Sequence, residues 1–411
     1  MGAVLQNAKT PEQSAHEKIQ NCREKINELK QARYFSFIFP EEDSLDNSLF
    51  TWDELSDKEN VTKIKSLYKE SIIQAQKYRT DFNIIYEYAD LLRYNREYLP
   101  AFNLFRKLEA YYQQSETSPS DYVALYARMQ ICCEKTYGEV FSLQYVRKVW
   151  EFGLKLENES PSEKLMVVSR SLFHTVDLDW QKGGLEDDLT LLQHTLELIE
   201  QMDEEHLSAC RELKAIVIGY IAVCKVFRDE DKDCHCSLTA LDLFQTILKA
   251  GADFKWTLDT AACCKRLSTI LKTHGDKGWA LIAAELQCEV LKQAADSQLS
   301  QYGPEYLYAC DSLATIWMAD DSKHALEFCR SAMDIRLRLA HAGIKTFMQR
   351  KTVQSFVPAV LPPLRGYYEK LISAQLNAHC GSLEETVAED EKYEQAIEAI
   401  EYTESTGNEN K

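Results

Sequence analysis

Apolar residues recur three and four positions apart along most of this chain, the spacing of one helix face. Ile19, Cys22, Ile26 and Leu29 mark such a stripe over residues 11–33. From Val61 onward the stripes come in pairs. The pattern predicts helices over 61–78, 82–94, 98–113, 120–135, 139–156, 162–178, 186–202, 206–228, 237–250, 256–273, 278–299, 305–318 and 322–342. Short polar or glycine-bearing breaks separate them, such as Gly138, Gly183-Gly184, Gly275 and Asp320-Asp321. Helices are also expected over about 347–379 and 387–402, interrupted around Pro358 and Pro362-Pro363. Between 34 and 60 the periodicity fails. An aromatic run, Tyr34 to Phe39, leads into an acidic stretch, and that run is expected to cap the first helix pair, with docking on a partner or filling the chain's own groove as alternatives.

Two helix starts share one chemistry. Ser118-Pro119-Ser120-Asp121 and Ser160-Pro161-Ser162-Glu163 each place a hydroxyl before the helix and an acid three residues on. The Ser accepts a free backbone N–H, the acid reaches back, and Pro stands where a missing N–H costs nothing. Tyr302-Gly303-Pro304-Glu305 is a looser third start. Recurrence of one start at a long, fixed spacing is the mark of a stacked-repeat protein.

Residues 82–108 carry a packing signature as well. Ala89 is small on the first helix, Ala101 is small on the second, and Phe105 and Leu108 continue the stripe. Ala314, Ala325, Cys329 and Ala332 repeat it over 305–332. This pattern resembles the tetratricopeptide repeat, and the long helices resemble its kinesin-light-chain-like branch. The resemblance covers residues 61–342 and implies an all-α, right-handed superhelical solenoid of antiparallel helix pairs. It divides the chain into an N-terminal helix and irregular capping segment (1–60), the repeats (61–342), and C-terminal capping helices with an acidic tail (343–411).

The resemblance also implies a partner-binding groove lined by the first helix of each pair. Its positions fall on Asn83, Tyr86, Asp90, Arg93 and Tyr94, and on Tyr308, Asp311, Thr315 and Met318. Family members that clamp a C-terminal carboxylate use Lys and Asn where this chain has Tyr86 and Asp90, which argues against that activity. The bland alternative is that these side chains pack against the neighbouring repeat. A basic stripe, Arg330, Arg336, Arg338, His341, Lys345, Arg350 and Lys351, is read either as a site for an acidic segment, including the chain's own tail, or as a solvated helix face.

Composition narrows the partners. The formal net charge is −18 over 411 residues, which disfavours nucleic acid and anionic membranes. Much of it lies after Ser382, in Glu384, Glu385, Glu389, Asp390, Glu391 and beyond, read as a solvated last helix and tail. The thirteen Cys are odd in number and fall within helical apolar stripes, as reduced core residues do. No apolar run reaches membrane-span length and no secretory leader is seen. Met1-Gly2 lacks the Ser or Thr at position 6 that myristoylation wants, since Gln6 stands there. These features point to a cytoplasmic protein.

Catalytic signatures are missing: no phosphate-binding Gly-Lys loop, no His-Glu-x-x-His, no Gly-x-Ser-x-Gly. Cys234-His235-Cys236, with Asp229, Asp231 and Asp233 nearby, invites a metal reading but lacks a second well-spaced pair. The expectation is a non-catalytic scaffold binding another protein or peptide, with no cofactor or metal. The alternatives are a peptide-responsive subunit controlling a separate effector, and a metal or enzymatic protein using Cys234–Cys236.

Overall fold

The computed structural model describes residues 10–31, 58–79, 81–94, 96–156, 160–179, 186–202, 204–227, 234–251, 254–352, 355–378 and 391–400. The aromatic run Tyr34–Phe39 and most of the acidic tail lie outside them. The chain divides into two compact units, Met1–Asp179 and Trp180–Lys411.

The first unit holds α1 (Pro11–Gln31), α2 (Lys58–Tyr78), α3 (Asn83–Tyr94), α4 (Tyr98–Tyr112), α5 (Pro119–Tyr137), α6 (Glu139–Gly153) and α7 (Pro161–Asp179). Each helix packs on the next in sequence, and α3 also touches α5. That pattern of neighbour and next-but-one contacts is a stack of helix pairs. The helix starts form as the residues dictate. The Asp121 N–H donates to Ser118 Oγ at 3.2 Å. At α7 the box is reciprocal: the Ser160 N–H donates to Glu163 Oε2 and the Glu163 N–H to Ser160 Oγ. The signature residues Ala89, Ala101, Phe105 and Leu108 are fully buried, and the Tyr86 ring meets Phe105 edge-on at 5.8 Å. Arg23 of α1 forks onto Asp81 and Glu87, fixing the first helix against the α2–α3 turn.

The second unit holds α8 (Glu186–Glu200), α9 (Glu204–Ala209), α10 (Arg211–Phe227), α11 (His235–Lys249), α12 (Thr257–Thr273), α13 (Lys277–Ser297), α14 (Leu299–Trp317), α15 (Ser322–His341), β1 (Thr346–Thr352), β2 (Ser355–Val360) and α16 (Leu364–Ala378). A last helix, α17, spans 391–400. The pairs α10/α11, α12/α13 and α14/α15 stack in order, with α10 also against α12 and α11 against α13. The described residues are thus overwhelmingly helical, and each unit is a solenoid of helix pairs.

Three expectations are corrected. The helix expected from about 347 begins instead as an antiparallel hairpin, with Thr346 opposite Val360 and Met348 opposite Pro358. Thr346, Phe347, Thr352, Phe356, Val357 and Val360 are β-branched or aromatic, and Pro358 is tolerated because neither strand has a second strand neighbour among the described residues. The looser start at Gly303-Pro304 lies inside α14, which begins at Leu299. Gly303 is there for close approach: a Cβ on it would sit 3.0 Å from Leu339 Cδ2 of α15. The helix expected over 206–228 is two, α9 and α10, broken at Cys210.

Candidate functional site

The predicted groove positions of α3 are not an open surface. Asn83 is exposed, but Asp90 is only 1% exposed and pairs with Arg93 one turn on. Arg128 of α5 adds a second cation, its Nε 3.8 Å from Asp90 Oδ1, and its guanidinium lies 5.8 Å from the Tyr86 ring centroid. Burial pushes the Tyr86 phenol well up. Asp90 thus corrects the expectation of an exposed groove residue. It is the interior anchor that ties Arg93 and Arg128 together, since a carboxylate this buried must be paired. Tyr94 ends α3, and its side chain lies outside the described residues.

Farther along the same unit the polar seam continues between α5 and α7. His174 Nε2 stands 2.6 Å from Glu134 Oε2, with His174 fully buried. Burial pushes the Glu134 carboxyl up, but hydrogen bonds from His174 and Lys135 outweigh it and hold it below the usual range. Gln130 Nε2 donates to Ser171 O at 3.4 Å. These contacts tie α5 to α7.

In the second unit, the predicted positions on α14 divide. Asp311 takes the ammonium of Lys370 from α16. Tyr308 is half-buried, and burial pushes its phenol up. Thr315 is exposed and donates to Asp311 O at 2.9 Å, while Met318 caps the helix end half-buried. One turn around from these, between α12, α13 and α14, lies a cavity of about 400 Å³. Lys265, Thr269 and Lys272 come from α12, Gln287 from α13, and Leu313 and Ile316 from α14. Ile316 is 41% exposed beside it. The mouth is braced by Asp320, which accepts from Lys272 at 2.6 Å and Lys277 at 2.8 Å, and Lys272 also donates to Ile316 O at 2.8 Å.

Sequence reasoning missed this cavity. A signal was available: Gln287 interrupts an apolar run, Val290, Leu286 and Ala283, on one face of α13. Lys265 and Lys272 stand seven apart, on one side of α12.

The basic stripe is not continuous. Arg336 is 8% exposed and donates from Nε to Pro362 O at 3.0 Å, pinning the chain that follows β2 onto α15. Arg338 reaches Asp296 at 2.7 Å. Arg330 is half-buried, and His341 and Lys345 are exposed. The side chains of Arg350 and Lys351 lie outside the described residues. Residues Arg336 and Arg338 leave α15 in different directions, so one interior contact replaces the expected stripe. Cys234 is buried at the start of α11 in a left-handed conformation, φ 51, and Lys225 Nζ donates to Cys236 Sγ at 3.7 Å. Among the described residues no group of three His, Cys, Asp or Glu is placed to hold a metal, and no helix is long and apolar enough to cross a membrane.

No family model matches the chain, and no curated protein matches it in sequence. Among solved structures it is similar to aspartyl phosphate phosphatase F from Bacillus subtilis, at 15% identity over 93% of this chain and 99% of that one, with a TM-score of 0.41. It is also similar to the C-terminal part of a TPR repeat-containing protein from Cytophaga hutchinsonii, at 15% identity over 62% and 95% with a TM-score of 0.21. A circular tandem repeat protein gives 13% identity over 98% and 88%, with a TM-score of 0.27. Likenesses this distant transfer no residue roles.

Proposed function

We propose that this chain is a non-catalytic interaction scaffold that receives a segment of a partner protein or peptide on the face formed by the first helices of its pairs. The observation that carries the reading is the cavity between α12 and α14. Most of its lining comes from α12 and α14, the first helices of their pairs, and it has a large apolar residue, Ile316, left in water at its edge. Concave sites with an apolar body and a few fixed polar groups are where proteins take ligands. Helix-pair stacks use such faces for extended or helical segments.

The test is affinity capture with three proteins: the wild type, Ile316→Asp at the cavity edge, and Lys323→Ala on the exposed side of α15. Both substituted side chains are exposed, so helix content and melting should match the wild type. The expected result is a partner held by wild type and Lys323→Ala and released by Ile316→Asp. Equal capture by all three overturns the reading.

A further inference from the structure

We propose that the cavity of the second unit takes a tyrosine or tryptophan side chain of the partner segment: a neutral ring that carries a hydrogen-bond donor. The proposal rests on the scaffold reading above and names what fills its cavity.

Three hydroxyls, of Ser268, Thr269 and Thr273, line the wall. Ser268 Oγ donates to Ala280 O at 2.8 Å, Thr269 Oγ1 to Lys265 O at 2.9 Å, and Thr273 Oγ1 to Thr269 O at 2.8 Å. A hydroxyl has one proton, and each of these is committed to a backbone carbonyl, so the remaining capacity of all three is as acceptors. Gln287 lines the same cavity, is 7% exposed, and its Oε1 has no hydrogen-bond partner among the described residues. Its terminal torsion is broad, and the proposal turns this carbonyl toward the cavity.

The cations are in the opposite condition. Lys272 already holds the Asp320 carboxylate and the Ile316 carbonyl, and its ammonium lies 4.7 Å from the Trp317 ring centroid. A carboxylate ligand would set acceptors against three hydroxyls that can only accept, and would compete with Asp320 for Lys272. A guanidinium or ammonium ligand would bring donors, but against Lys265 and Lys272. A neutral donor satisfies both conditions. The apolar part of the wall then selects its body. Leu313 in the floor and exposed Ile316 at the edge call for an apolar group, and about 400 Å³ admits a large ring. Ammonium groups beside the opening favour an aromatic face over a saturated chain.

The experiment uses the full chain with methyl-labelled Ile and Leu. It is titrated with the N-acetyl amides of tryptophan, tyrosine, phenylalanine and glutamate, following the Ile316 and Leu313 resonances. Tryptophan and tyrosine amides are expected to move both signals and to bind about fivefold more tightly than phenylalanine, the value of one hydrogen bond. Gln287→Met keeps the length of the side chain and removes the acceptor. It should erase that difference while leaving phenylalanine binding unchanged. Thr269→Val is a second variant with the same expected direction, should Gln287→Met fail to fold.

Equal binding of phenylalanine, tighter binding of glutamate, or no shift at Ile316 and Leu313 with any probe overturns the proposal. These outcomes are separate from the fate of the scaffold reading. Aromatic amides that fail to bind, in a protein whose partner capture still depends on Ile316, sink the assignment of the cavity alone.

Discussion

Gly219 sits where α10 crosses α12 with no room for a side chain. A Cβ there would lie 2.3 Å from Cys263 Sγ. Gly219→Ala is expected to destabilise the second unit by about 1–3 kcal/mol, because a packed helix crossing resists overpacking. Calorimetric melting checks it. Gly278, also helical, has open space where its Cβ would go. Gly278→Ala should therefore stabilise by about 0.4–1 kcal/mol, through the lower entropy of the unfolded chain. Asp320 gives a pH dependence. Hydrogen bonds from Lys272 and Lys277 hold its carboxyl down at about 2, from an ordinary 3.8. A depressed carboxylate adds stability that is fully present above 3.8 and is lost as pH falls through about 2. The stability of Asp320→Asn should thus trail the wild type above pH 4 and converge with it near pH 2, read from denaturant midpoints across that range. None of these roles shows in the local sequence. Gly219 reads as a poor helix former, and only the crossing helix, far along the chain, explains it. Asp90 is a parallel case: the family resemblance implies a place on the groove side, but the burial that pairs it with Arg93 and Arg128 is a tertiary fact.

At the scale of the helix, legibility depends on how far apart the interacting residues stand. The caps Ser118 and Ser160 were readable because the hydroxyl and the acid are three residues apart. The start of α12 has no such device of its own. Its cap comes from Glu212 on α10, whose carboxylate accepts from the Lys255 and Trp256 backbone N–H groups at 2.8 and 2.9 Å and from the Thr260 hydroxyl at 2.7 Å. Burial pushes the Glu212 carboxyl up against the pull of those three donors. A carboxylate at a helix N-terminus is favourable, and losing it leaves buried donors without partners. Glu212→Ala should lower stability by about 2–4 kcal/mol. Amide hydrogen exchange should show the loss first at residues 255–260, and unchanged protection there would refute the capping role. The hairpin β1–β2 is hard to read because Pro358 looks like a helix breaker, while the β-branched and aromatic residues beside it carry the strand signal.

The architecture as a whole was legible, since helical periodicity and a repeated start require only the chain itself. What the sequence did not show is where compactness divides. The contacts separate at Asp179, whereas the repeat pattern runs on to 342. The first unit has a continuous core of its own, from Ile19 through Phe105 to Leu156. Residues 1–179 expressed alone should therefore melt in one cooperative transition by circular dichroism; a gradual, featureless melt would show that this core is not sufficient. None of the twelve cysteines among the described residues forms a disulfide, and eleven of them are buried, so each unit is held by packing and not by cross-links. The stacking of each helix on its sequence neighbours has a further consequence, for kinetics. A chain whose contacts are mostly local closes few long loops on its way to the native state, and such chains fold quickly for their size. The same locality lets a stack open pair by pair from a free end instead of all at once. A chemical-denaturation curve for the full chain should accordingly be broader than its buried area implies, with the terminal pairs lost before Gly219 and its neighbours.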